Sequence, residues 1–163
     1  MDKLTKSEQH TLEQLALNID SPTSAVLTEV IPLCSEVALF NIQETGDWQY
    51  QGSALPIKFA KLFAGILHCI EDEHFLITPV EKVRVTVVDV PLVITDFERG
   101  PDPAYLQVKT SIDTEHQIMD INRMKLTDFG IYLPLERGLW GKLSRACYYN
   151  FVNEFNLSDL ELP

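Results

Sequence analysis

The sequence predicts an α+β fold, rich in strands, with a buried central helix and a closing C-terminal helix. Three observations predict it. Val83, Val85 and Val87 alternate with Lys82, Arg84 and Thr86, the period of a strand with one buried face. Between Pro56 and Ile70 apolar residues cover most of a helical circumference: Ile57, Phe59, Ala60, Leu62, Phe63, Ala64, Ile66, Leu67 and Ile70. A helix apolar nearly all round is buried on most sides. Near the C-terminus, Leu139, Leu143, Cys147, Phe151 and Phe155 recur at helical spacing over roughly 139–155.

In chain order, Thr5-Lys6-Ser7-Glu8 reads as a capping box. Leu12, Leu15, Ala16 and Ile19 continue it as an amphipathic helix. That helix is expected to end near Asp20, before Ser21-Pro22, as a cover for the core. Glu36 to Ile42 alternates as a strand, Glu44-Thr45-Gly46-Asp47 supplies a turn, and Trp48-Gln49-Tyr50 starts the return strand. After the central helix, Glu71-Asp72-Glu73 reads as a solvated loop. Further strands are expected at 74–78, 82–88, 92–97, 105–110, 117–121 and 131–135, with a loop at Gly100-Pro101-Asp102-Pro103. Ser158 to Pro163 reads as a tail.

A length of 163 residues suits one core or two small units, and 45% apolar content is that of a globular protein. The formal net charge of −11 argues against general nucleic-acid binding, which needs excess cations to displace counterions. Its distribution is uneven. Residues 1–57 hold eight acids against Lys3 and Lys6, and residues 146–163 hold three acids and no base. Every other Lys and Arg lies in 58–145, where eleven bases meet thirteen acids. No secretory leader or membrane span is read, and Cys34, Cys69 and Cys147 are too sparse for a disulfide framework. The expected location is the cytoplasm, with reduced thiols.

Catalytic motifs are missing. There is no Gly-x-Ser-x-Gly elbow and no phosphate-cradling glycine loop. His68, Cys69 and His74 lack the spacing of a metal site, so no metal and no cofactor are expected. The basic residues form the one suggestive constellation. Lys58 and Lys61 share a stripe of the central helix with Gly65 and His68; Lys82 and Arg84 share a strand face; Arg137 precedes the last helix and Arg145 lies on it. Cations gathered round a concave site suit a phosphate or carboxylate ligand. Trp48 adds an aromatic wall on the hairpin. Pro79 makes Thr78-Pro79-Val80-Glu81 a rigid turn that aims Glu81 toward a base.

From Gly46 onward the chain resembles a bacterial family catalogued as domain of unknown function 1285. The resemblance rests on Gly46-Asp47-Trp48, Gly52, Leu62-Phe63 and Ile66-Leu67, then on Phe75 to Val83 with its Thr-Pro-x-Glu-Lys block, and on Val87-Val88-Asp89-Val90-Pro91. It extends more loosely over Tyr132, Gly138-Leu139, Leu143, Arg145 and Tyr148, about two thirds of the chain in all. The resemblance implies a duplicated core with a bent, mostly antiparallel sheet and a C-terminal half like a pleckstrin-homology domain. It further implies a nucleotide-like or phosphorylated ligand between the two halves and a role in signalling. One departure is that no Arg lies between Ser53 and Ile57, before the central helix.

Taken together, four segments are expected: an N-terminal helix and extension (1–35), a first α+β subdomain (36–80), a strand-rich second one with the closing helix (81–157) and the tail (158–163). The leading functional expectation is a non-catalytic ligand-binding or signalling module. Its candidate site residues are Trp48, Lys58, Lys61, Glu81, Lys82, Arg84, Arg137 and Arg145. The rival is a protein-interaction unit that uses the acidic N-terminal part as its contact surface. An enzyme ranks third.

Overall fold

The computed structural model describes residues 4–17, 37–102 and 105–157. The chain divides into two compact units, Met1–Asp89 and Val90–Pro163. The α+β class and the duplicated core hold. The expected break after residue 80 falls instead after Asp89, because the strand Lys82–Val87 pairs with strands on both sides within the first unit.

The first unit begins with α1 (Lys6–Leu17), whose capping box forms as read. The Thr5 N–H donates to the Glu8 carboxylate at 2.8 Å, and the Glu8 N–H donates to Thr5 Oγ1 at 3.2 Å. Residue 20, where the helix was expected to end, and Cys34 lie outside the described residues. Three short strands follow: β1 (Phe40–Ile42), β2 (Trp48–Tyr50) and β3 (Ser53–Ala54). Gln51 and Gly52 join β2 to β3, both at positive φ (49° and 84°), as a type I′ hairpin turn requires. Then come α2 (Ile57–Ala64), β4 (Leu67–Ile70), β5 (Glu73–Ile77) and β6 (Lys82–Val87). The sheet order is β3-β2-β1-β6-β5-β4, with only β1 and β6 parallel.

The central helix is therefore shorter than its apolar run. It closes at Gly65, where N–H groups of Gly65 and Ile66 reach back three residues to Leu62 and Phe63. Residues 67–70 then pair with β5 as a hairpin, turned by Glu71 and Asp72, both left-handed. A buried apolar run does not distinguish helix from strand. Acidic residues in an I′ turn also lack the Asn-Gly pattern that would have revealed the hairpin. Nor is α2 buried all round. Phe59, Ala60, Phe63 and Ala64 are buried, while Ile57, Lys58, Lys61 and Leu62 are exposed.

The second unit repeats this topology. Its strands are β7 (Leu92–Arg99), β8 (Leu106–Thr110), β9 (Glu115–Ile118), β10 (Lys125–Thr127), β11 (Gly130–Pro134) and β12 (Trp140–Leu143). Their order is β10-β11-β12-β7-β8-β9, with only β12 and β7 parallel. In each unit two three-stranded meanders join through the first strand of one and the last strand of the other. The last helix, α3 (Arg145–Glu154), starts later than expected, because Ser144 caps it by accepting the Cys147 N–H and residues 140–143 form β12. Lys142 thus lies on a strand. Cys147 and Phe151 of α3 close a core of Ile94, Leu106, Val108, Ile118, Ile131, Leu133 and Leu143. Among the described residues no helix is long and apolar enough to cross a membrane.

Candidate functional site

Pairing register sorts the first unit's candidates onto two faces. Phe40 is paired with Tyr50 and Val85, and its ring meets Phe63 of α2 at 5.5 Å. Side chains alternate along a strand, so Trp48, Tyr50, Val83 and Val85 share the face that α2 covers. Trp48 is 3% exposed, as an interior residue; its Nε1–H is buried and has no hydrogen-bond partner among the described residues. Lys82 and Arg84 project from the opposite face. The helix stripe of Lys58 and Lys61 is on the far side of α2 from the sheet, with Lys58 Nζ 4.9 Å from the Phe59 ring centre. His68 has left that stripe altogether, since it belongs to β4.

What this unit does bring together is a small cluster on the sheet face away from α2. Arg84 is in register with Phe75, and Lys82 with Ile77. Lys82 Nζ lies 4.8 Å and the Arg84 guanidinium 5.2 Å from the Phe75 ring centre, so both cations gather over one ring. Arg84 also donates to the Glu73 carboxylate at 2.8 Å, a pair that is 29% and 57% exposed on its two sides. Phe75 and Ile77 beneath are buried and form an apolar cluster of their own. Lys82 has no ion pair among the described residues. The buried Thr78 hydroxyl accepts the N–H groups of Val80 and Glu81, while the Thr78 N–H donates to the Glu81 carbonyl at 2.9 Å. That turn is the rigid one expected. The Glu81 carboxylate is half-buried and has no ion pair among the described residues, so the expected base is not beside it.

The second unit holds a polar network that the sequence did not disclose. His116 of β9 has a side chain only 4% exposed. Its Nδ1 lies 2.6 Å from Glu136 Oε1 and its Nε2 lies 2.9 Å from Thr114 Oγ1, which in turn is 2.6 Å from Thr110 Oγ1. A carboxylate only accepts, so Nδ1 carries the hydrogen that bonds Glu136. Nε2 continues the chain to the Thr114 hydroxyl, and the Thr114 and Thr110 hydroxyls share the last hydrogen bond. Burial works to raise the Glu136 carboxyl, but the bond from His116, a backbone N–H and the charges of His116 and Arg137 outweigh it and hold the carboxyl below its usual range. Arg137 lies 3.5 Å from that carboxylate in a left-handed backbone conformation, its pKa lowered by burial despite the nearby acid. Arg145 is exposed at the start of α3.

Thr114, His116 and Glu136 share the contact order of a nucleophile, a base and a carboxylate. The Thr114 hydroxyl is tied to Thr110 within the β8–β9 turn, and His116 is paired in mid-strand with Val108. Neither thiol that can be placed is activated: burial pushes Cys147 up to about 11, and burial with the Asp72 charge raises Cys69. Among the described residues no three His, Cys, Asp or Glu side chains gather as metal ligands would. An open cleft of about 610 Å³, lined by Asp96, Phe97, Glu98, Arg99, Asn150, Asn153 and Glu154, contains none of the expected site residues.

Known proteins place the chain in context. The family model described as Domain of unknown function (DUF1285), N-terminal domain, matches residues 31–90. A crystal structure of a DUF1285 family protein from Shewanella baltica OS155 is similar at 70% identity, with 78% of this chain and 100% of that one covered and a TM-score of 0.70. A second, from Silicibacter pomeroyi DSS-3, is 26% identical over 87% of this chain and 82% of its own, with a TM-score of 0.68. Among curated proteins nothing matches.

Proposed function

This chain belongs to the DUF1285 family, and we propose that it acts as a non-catalytic module that binds a small phosphorylated anion through the sheet face of its first unit that carries Lys82 and Arg84. The observation that carries this reading is the meeting of Lys82 and Arg84 over Phe75, with Lys82 free of any ion pair among the described residues. In a chain with 24 acids and 13 bases, most cations would be expected to sit beside a carboxylate. An ammonium held over a ring keeps its hydrogens available, and a guanidinium shared with an exposed Glu73 retains donors for a second acceptor. Trp48, inside the core, is a structural residue in this reading and does not touch ligand.

The test is a thermal-shift screen over nucleotides and phosphorylated metabolites, since a ligand that binds only the native state raises its stability. A hit should lose about 1.5–3 kcal/mol of affinity in Lys82→Ala or Arg84→Ala. A second reading, a protein-interaction unit, is favoured by the exposure of Met119 (71%) after β9 and of Phe129 (80%) at the β10–β11 turn. It predicts no hit in the screen.

A further inference from the structure

The second unit leaves one stretch of strand backbone without a neighbour. β12 pairs with β7 only as far as Leu143 and Ile94, and the chain then turns away at Ser144 into α3. β7 runs on to Arg99, paired on its other side with β8, so that Asp96 lies opposite Lys109 and Arg99 opposite Leu106. The Gly100 N–H donates to the Tyr105 carbonyl at 3.1 Å. Backbone groups alternate in direction along an antiparallel strand, so Glu98 and Asp96 also turn theirs toward β8. Phe97 and Arg99 turn theirs to the side that β12 has left. There the Phe97 N–H is met by Asp96 Oδ1 at 2.9 Å. The Phe97 carbonyl and the Arg99 N–H and carbonyl have no partner among the described residues.

The open cleft of about 610 Å³ separates this edge from α3, with Asn150 and Asn153, one turn apart, on the helix side. Both are exposed, and their carboxamides have no hydrogen-bond partner among the described residues. The Phe97 and Arg99 side chains point toward α3, Phe97 onto Phe151 at 5.3 Å and Arg99 onto Phe155 at 4.3 Å. Asp96 and Glu98 alternate to the other face. Charge marks the cleft: the carboxylates of Asp96, Glu98 and Glu154 line it against one cation, Arg99, which pairs with Glu154 at 3.4 Å.

We propose that this edge takes up an extended, basic segment of a partner protein as an additional antiparallel strand. One residue of the segment exchanges two hydrogen bonds with Arg99, and the residue two along donates to the Phe97 carbonyl. Residues directly opposite share a face, so both of these side chains enter the cleft beside Asn150 and Asn153. The residues flanking them carry Lys or Arg over Asp96 and Glu98. A second copy of this chain suits the edge badly, because two β7 edges side by side bring Asp96 and Glu98 against their own equivalents. The edge lies on different residues from Lys82 and Arg84, and either site can fail without the other.

The experiment titrates the ¹⁵N-labelled full chain with acetyl-Lys-Val-Lys-Val-Lys-amide. Binding should shift the Arg99 amide signal saturably and slow its exchange with water. Methylating both valine nitrogens removes the N–H groups aimed at β7 and should weaken binding about tenfold or more, as loss of two hydrogen bonds does. Methylating the central lysine nitrogen, which faces outward, should weaken it far less, and Glu in place of Lys should abolish binding. Arg99→Pro removes the edge N–H without touching the β8 ladder and should weaken binding about fivefold. Arg99→Ala keeps that N–H, loses a like charge and should bind no less tightly than the parent. No saturable shift of the Arg99 signal, or equal binding of the valine-methylated peptide, would overturn the proposal. So would an Arg99 signal that moves with protein concentration alone, which gives the edge to a second copy. If Arg99→Pro does not fold, the methylated peptides decide.

Discussion

The two units have one strand topology and two different interiors. In the first, α2 comes between the meanders and the space under it is aromatic: Phe40 lies 4.9 Å from Tyr50 and 5.5 Å from Phe63, and Phe59 stacks on Phe63. In the second, a 3-10 turn at Ile121–Arg123 stands between the meanders, and the helix follows the last strand. There the buried side contains Thr110 and His116 as well as aliphatic residues, and the aromatic group of Phe97, Phe151 and Phe155 sits at the helix. The difference teaches that this topology does not dictate what fills it. A polar interior is tolerated where hydrogen bonds form an unbroken chain, and here the chain runs from Thr110 through Thr114 and His116 to Glu136.

The comparison breaks first at its apolar side. Phe63 is fully buried, so Phe63→Ala should cost about 3–5 kcal/mol, read from urea unfolding and from faster amide exchange in β1 and β6. A loss below about 1 kcal/mol would mean that the aromatic cluster is not what holds the first unit together. On the polar side, His116→Ala leaves Thr114 and Glu136 without their partner and should cost about 1–3 kcal/mol, with faster exchange in β8 and β9. If His116→Ala were as stable as the parent, the network would be incidental.

The same network has a pH dependence whose sign follows from Glu136. Its carboxyl is lowered on folding, so its contribution is fully present above the unfolded carboxylate range and is lost as pH falls through the lowered folded value. The unfolding midpoint of the parent should therefore drop more steeply below about pH 4.5 than that of Glu136→Gln. Parallel curves for the two proteins would contradict this. The smallest effect expected is at the closing helix: Ser144→Ala removes the cap on the Cys147 N–H and should cost about 1 kcal/mol.

Much of the first unit was legible because its signals are local. The capping box needs residues three apart, the β1–β2 hairpin is declared by Gly46 and the alternation around it, and β6 by its valines. Where strand and helix compete for the same apolar residues, the sequence misled. Leu67 to Ile70 and Trp140 to Leu143 look helical in one dimension and became strands through pairing with partners the sequence does not mark. Site residues followed the same rule. Lys82 and Arg84 share a face as alternation required, yet Phe75 beneath them depends on the β5–β6 register. His116 and Glu136, twenty residues apart, have no local signal at all.

In the proposed function, the cations over Phe75 meet a phosphorylated ligand. That contact is tested most directly by isothermal titration of the phosphorylated compound that most raises the melting temperature of the full chain, against the parent, Lys82→Ala and Arg84→Ala. Saturable binding by the parent is expected, with about 1.5–3 kcal/mol less in either variant and only a small fall in the unfolding midpoints, since each half-buried cation adds a modest contact over Phe75. Absence of any stabilising compound, or equal affinity in all three proteins, would contradict it.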